Sequence, residues 1–249
     1  MLILLTNDDG IHADGLKALE KALKPVAETI VFAPDREQSA SSHSLTLNRP
    51  LRILERGKNR YTCDGTPTDC VMLAVHGILR HRLPDLLISG INHGANMGED
   101  VTYSGTVAAA IEGATMGIPS IAVSNTDALN LSSYLPAARF VAKLIRQYYK
   151  LEIPPAIFLN INFPTLTGSR FTGYRYTCLG QRRYNDVVIE KTDPRGKHYY
   201  WIAGESTWDN IEGSDFEAVS NGLVSISPLK MNFTHQESFN RIKNVKLRF

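Results

Sequence analysis

The chain has 249 residues, 43% of them hydrophobic, and a formal net charge of +2. That is enough apolar content for one large α/β domain, or one domain with an appendage, and the weak, scattered basic charge gives no footprint for a nucleic-acid partner. No apolar run approaches the roughly 20 residues that span a bilayer, and the start of the chain lacks the charged segment and cleavage site of a signal peptide, so a cytoplasmic protein with no membrane role is expected.

The opening run Leu2-Ile3-Leu4-Leu5 closes on Asn7-Asp8-Asp9-Gly10 and reads as a buried parallel strand delivering its end to a turn. Over 13–23, Leu16, Leu19, Ala22 and Leu23 recur at helical spacing, and Pro25 helps to end that helix. A strand over 29–33 follows, then a polar loop. Thr66 and Pro67 form an N-cap and a first-turn proline for a helix running through Cys70, Val71, Leu73, Ala74 and Ile78. The run 86–89 is a third strand, and the alanine-rich stretch 106–116 is a buried helix stopped by Gly117. A strand over 120–123, a helix over 134–149 and a strand over 156–162 complete an alternation that predicts a doubly wound, mainly parallel, Rossmann-like sheet.

After Pro164 the texture changes. Residues 171–203 are rich in Tyr, Thr, Val and Ile around the turn Asp193-Pro194-Arg195-Gly196, which predicts an appended β-hairpin arm. Its aromatics, Tyr174, Tyr176, Tyr184, Tyr199, Tyr200 and Trp201, pack either on the parent domain or on another subunit. The second is favoured because an isolated two-stranded ribbon is marginal in water. A short helix over 215–220 and a strand over 223–227 follow, and the segment from His235 shows no core pattern. The expected division is an α/β catalytic core over 1–165, with the arm and C-terminal elements over 166–249 completing the fold and mediating oligomerisation. Cys63, Cys70 and Cys178 lack CxxC spacing and read as free thiols.

Four segments carry candidate chemistry. Asp8 and Asp9 sit where open α/β sheets bind ligands. Neighbouring carboxylates repel, so the pair needs a proton, solvation or a hard cation such as Mg²⁺ or Mn²⁺; an Asx turn capping the next helix accounts equally well for the motif alone. Ser39 lies in the serine-rich loop after the second strand, beside that edge, and offers a hydroxyl to a metal or phosphate unless the loop is merely solvated. In Ser89-Gly90-Ile91-Asn92-His93-Gly94-Ala95-Asn96-Met97-Gly98, Asn92 and Asn96 offer oxygens to a cation and amide protons to an anion, while the spacing is not the GxGxxG fingerprint. Tyr103-Ser104-Gly105-Thr106 opens the alanine-rich helix, where backbone N–H groups and the hydroxyls of Ser104 and Thr106 suit a phosphate or simply cap the helix. Of the histidines, His12 and His43 are placed nearest the cleft, whereas His76, His81 and His198 read as structural or solvated. Three loops following strands and one helix start can converge on one sheet edge, and together they hold the parts for metal-assisted phosphoryl hydrolysis.

These motifs resemble those of the SurE family of survival proteins, metal-dependent 5'-nucleotidases. The resemblance runs through Thr6-Asn7-Asp8-Asp9-Gly10, Ala33-Pro34-Asp35-Arg36 with Ser39, Asp64-Gly65-Thr66-Pro67, Ser89-Gly90-Ile91-Asn92 with Gly94 and Asn96, and Tyr103-Ser104-Gly105-Thr106-Val107-Ala108-Ala109-Ala110. It implies that Asp8, Asp9, Ser39 and Asn92 bind a divalent ion, Mg²⁺ or Mn²⁺, and that Asn96, Ser104, Gly105 and Thr106 contact the phosphate. It further implies hydrolysis of nucleoside 5'-monophosphates, with 3'-nucleotides and short polyphosphate as additional substrates of some members, and homodimers or homotetramers with exchanged C-terminal elements. The expected mechanism is attack by a metal-activated water with Asp8 as the catalytic carboxylate; an aspartyl-phosphate on Asp8 is the alternative.

Overall fold

A computed structural model describes residues 1–127, 130–154, 156–166 and 171–246, without the side chains of 184–187 and 203–206, so the expected packing of Tyr184 lies outside the described residues. In chain order the elements are β1 (Leu2–Thr6), α1 (Asp14–Leu23), β2 (Glu28–Pro34), β3 (Ile53–Gly57), β4 (Arg60–Cys63), α2 (Pro67–Leu73), β5 (Leu86–His93), α3 (Gly105–Thr115) and β6 (Ser120–Asn125). They continue as α4 (Tyr134–Ile145), β7 (Ile157–Phe163), β8 (Tyr174–Tyr176), β9 (Arg182–Thr192), β10 (His198–Trp208), α5 (Asp215–Ser220), β11 (Val224–Lys230) and α6 (Gln236–Ile242).

The central sheet has the order β3-β4-β2-β1-β5-β6-β7-β11-β8. From β4 to β7 every neighbouring pair is parallel, while β3 and β11 join antiparallel. This is the doubly wound α/β fold expected from the alternation. β1 is buried along its whole length because both its faces are covered. Ile3 and Leu5 pack with Leu16, Leu19 and Leu23 of α1 and Val141 and Ile145 of α4. Leu2 and Leu4 face the opposite layer, with Cys70 and Val71 of α2 and Ala109 of α3. The close fit of α1 depends on Gly15, where an added Cβ would stand 2.0 Å from the Ile91 carbonyl oxygen.

Several boundaries differ from expectation. The helix begun at Pro67 gives way to a π-helical turn, Ala74–Ile78, and the helix begun at Tyr134 ends at Ile145, followed by a 3-10 turn, Tyr148–Leu151. β3 and β4 form a hairpin with no forecast: β3 is exposed throughout, so no alternating apolar face marked it. The exposed α6 likewise has no buried face to read. β8 and β11 extend the main sheet, so the segment after 165 is partly integral to it. The arm is the separate pair β9–β10, and its turn is the expected one, with Asp193 Oδ1 accepting from the backbone N–H groups of Arg195 and Lys197 at 2.8 and 2.9 Å.

The arm's base is anchored beside the turn 98–102. Trp208 stacks on Phe216 at 3.8 Å between centroids, Arg182 lies over Trp208 and pairs with Asp100, and the backbone N–H of Arg182 donates to Glu99. Buried Asp215 accepts from the N–H groups of Gly98 and Gly180 at 2.9 and 2.8 Å. Tyr199, Tyr200, Trp201, Val188 and Ile202 are exposed on the arm.

Candidate active site

Because β1, β2 and β5 are parallel neighbours, their C-terminal ends bring the three loops after them to one edge. Asp8 is the centre of that edge. Its backbone carbonyl accepts from the Gln38 N–H at 2.8 Å, fixing the start of the serine loop. Its Oδ1 accepts from the Thr106 hydroxyl in the first turn of α3. Asp9 Oδ2 accepts from the His93 N–H at 3.1 Å, which ties it to the end of β5. The loops are so close that a Cβ on Gly105 would stand 2.6 Å from Ser41 Oγ and 2.9 Å from Asp8 Cβ. Ser42 closes the circuit: its N–H donates to the Tyr103 carbonyl at 3.0 Å and its hydroxyl to Thr102 at 2.7 Å.

Electrostatics make the site receptive to a cation. Burial raises the Asp8 carboxyl above the ordinary carboxylate range, against the lowering effect of the Thr106 hydrogen bond. Asp9 is raised to about 6, by burial first and by the Asp8 charge second. Both shifts record the cost of charging a carboxyl in a buried place, a cost that a bound cation would offset. The other proposed ligands leave oxygens to spare: the Asn92 Nδ2 donates to Gly94 at 2.9 Å, which orients Oδ1 away from that bond, and the exposed Ser39 donates its proton to Glu37 at 2.6 Å while keeping lone pairs. Asn7 Oδ1, next to the pair, is buried and has no hydrogen-bond partner among the described residues. An all-oxygen set with two carboxylates fits Mg²⁺ or Mn²⁺ better than softer metals.

On the anion side, Ser104 caps α3 by accepting from the Val107 N–H at 3.1 Å, and its hydroxyl proton has no acceptor among the described residues. The Thr106 hydroxyl is instead committed to Asp8, so the phosphate donor expected there is the backbone N–H. Asn96 is buried, with its side-chain amide donating to Ser124 at 2.7 Å. The main chain of Asn96 is clamped by β7: its N–H donates to Asn162 Oδ1 at 2.8 Å, and its carbonyl accepts from the side chains of Asn160 and Asn162 at 2.8 and 2.9 Å. Sequence reasoning missed this clamp. The readable signal was two asparagines at alternate positions of an otherwise apolar strand, Ile157-Phe158-Leu159-Asn160-Ile161-Asn162-Phe163, which places both on one buried face.

A family model described as survival protein SurE matches residues 3–186. The chain belongs to the SurE family. It is 48% identical over 248 residues to "5'-nucleotidase SurE" of Citrifermentans bemidjiense, covering 99% of this chain and all of that one. It is 47% identical to the SurE relative of that name from Geotalea daltonii, covering 98% of each. The crystal structure of the SurE protein from Aquifex aeolicus superposes with a TM-score of 0.87 at 42% identity, over 98% of both chains. No helix among the described residues is long and apolar enough to cross a membrane.

Proposed function

We propose that this SurE-family protein is a divalent-metal-dependent phosphatase that hydrolyses nucleoside 5'-monophosphates to nucleoside and phosphate. The name carried by its full-length relatives supports nucleotide hydrolysis. The observation that carries the mechanism is the meeting of Asp8 with the first turn of α3, which sets carboxylates and helix N–H groups against one point. Asp8, Asp9, Ser39 and Asn92 are the residues that would hold the cation. When bound, the cation supplies Lewis acidity, lowering the pKa of water and neutralising charge on the transferring phosphoryl group.

The chain's own groups do the rest. The N–H groups at the start of α3 and the Ser104 hydroxyl proton bind phosphoryl oxygens, with the helix end adding about half a positive charge. Asn96, with its main chain fixed, lends the side-chain amide proton that Ser124 does not take. Asp8 orients the attacking water and takes its proton. Phosphate release from a panel of nucleoside 5'-monophosphates, 3'-nucleotides and short polyphosphate is expected to require Mg²⁺ or Mn²⁺ and to stop with chelator. Turnover unaffected by chelator would remove the metal from the reading, and no turnover on any nucleotide would remove the enzyme.

Residues 166–249 are proposed to serve assembly, with the cytoplasm as the place of action. The exposed arm aromatics, together with Phe239, Ile242 and Val245 around α6, are apolar surface suited to a second copy of the chain. Light scattering at micromolar concentration is expected to give a dimer or tetramer; a monomer mass would refute this.

A further inference from the structure

Glu112 is a buried carboxylate that the site above does not use. It is 9% exposed on α3, whose other buried residues are Gly, Ala, Val and Thr. Its Oε2 lies 2.7 Å from His43 Nε2. A carboxylate only accepts, so Nε2 carries the proton, and in the neutral tautomer Nδ1 is then an acceptor. The ring is held on both sides of this bond, because its neighbour Ser42 is pinned to Thr102 and Tyr103.

His43 forms part of the wall of a cavity of about 580 Å³ that begins at Ser104 and runs past Val107 and Ile111 of α3 to Phe158, Leu179 and Leu229. That volume lies within the range of small-molecule sites, and so does the recipe of apolar walls with a few directed polar groups. Glu112 is seven residues along the helix from Gly105, which places the pair about 10 Å from the helix start at 1.5 Å per residue. A phosphoryl group seated at the helix start therefore has its esterified partner beside this cavity, with His43 at the distance of a sugar or base.

We propose that the cavity takes the nucleoside portion of the substrate, and that His43, oriented by Glu112, is a specificity-determining residue whose Nδ1 accepts a hydrogen bond from a sugar hydroxyl or a base amino group. This rests on the phosphatase reading. The apolar wall covers the sugar and base faces, and the imidazole supplies a directed contact that a simple phosphate ester does not engage.

The test compares kcat/KM for a nucleoside 5'-monophosphate with that for p-nitrophenyl phosphate, which has neither sugar nor base. In His43→Ala the ratio of the two is expected to fall about tenfold, mainly through KM for the nucleotide, as for one lost hydrogen bond. Glu112→Leu is expected to lower the ratio similarly, whereas Glu112→Gln, whose amide oxygen still accepts from Nε2, restores most of it. An unchanged ratio in His43→Ala, or a parallel loss on both substrates, overturns the proposal and marks the pair as structural. Binding of the free nucleoside, measured by calorimetry, needs no turnover: it is expected in the wild type and should weaken in Ile111→Trp, which fills the cavity from α3. No binding to the wild type, as when a second copy fills the cavity, refutes the proposal even with phosphate release intact. Nucleoside binding without phosphate release faults the phosphatase reading alone.

Discussion

Asp8→Asn is expected to lower phosphate release by at least about 10³-fold at saturating metal, while raising the thermal midpoint of the metal-free protein at neutral pH. The first effect follows from the proposed mechanism, in which one carboxylate serves both the cation and the water, since single catalytic groups that act as part of a unit carry losses of this size. The second follows from the sign of the pKa shift. The folded state holds the Asp8 proton more tightly than the unfolded chain, so folding stability declines as pH rises through the region between the two values. Above the ordinary carboxylate value this shift works against the folded state, and Asn removes that penalty while keeping an oxygen for the Thr106 hydroxyl. Asp9, raised to about 6, adds a penalty of the same sign that is complete above that pH. The stability gain in Asp8→Asn should therefore vanish below about pH 4, near the ordinary carboxylate value. Thermal melts across pH, with chelator present, check this; a variant less stable than wild type at pH 7 would contradict the electrostatic account, and one that retains activity would dismiss Asp8 from the reaction.

The second large effect is expected at Gly105. Alanine is the better helix former, by up to about 1 kcal/mol, so propensity alone predicts a neutral or stabilising change. Contact overrides propensity here: the new methyl would press on Asp8 at 2.9 Å from its Cβ and 3.1 Å from its Oδ2. The Ser41 hydroxyl, at 2.6 Å, is the tip of a side chain and can rotate aside, whereas Asp8 is fixed by the strand behind it. Overpacking of this kind costs about 1–3 kcal/mol of stability. Displacing Asp8 from the first turn of α3 should lower kcat/KM about 10²-fold. Steady-state kinetics on Gly105→Ala at saturating metal decides it, and wild-type kcat/KM would show that the Asp8–α3 approach has no bearing on catalysis.

What could be read without coordinates divides along physical lines. β1 and the cores of β5 and β6, Leu86-Leu87-Ile88 and Ile121-Ala122-Val123, are continuous apolar runs because both their faces are covered, and such runs announce themselves. Their parallel order then places Asp8, Asp9, Asn92 and the serine loop on one edge with no knowledge of side chains. β3 lay hidden because an exposed edge strand has no pattern to leave. The Thr106–Asp8 bond and the His43–Glu112 pair lay hidden for another reason: partners 98 and 69 residues apart are matched by geometry, and neither residue type names its mate. A lone charged residue among the alanines of α3 was the available hint, since a carboxylate is seldom buried without a donor.

The clamp of β7 on Asn96 gives the site a temporal dimension. Asp8 lies near the start of the chain, Thr106 near its middle, and Asn160 and Asn162 two-thirds of the way along. A nascent chain that has emerged only as far as α3 carries the carboxylates and the helix start, yet Asn96 still lacks the two amides that hold its carbonyl. The anion-binding half is therefore completed only by a strand synthesised after the carboxylates have long been available. On the proposed assignment of roles, the residues for the cation are all made before the strand that fixes the last contact on the phosphate side.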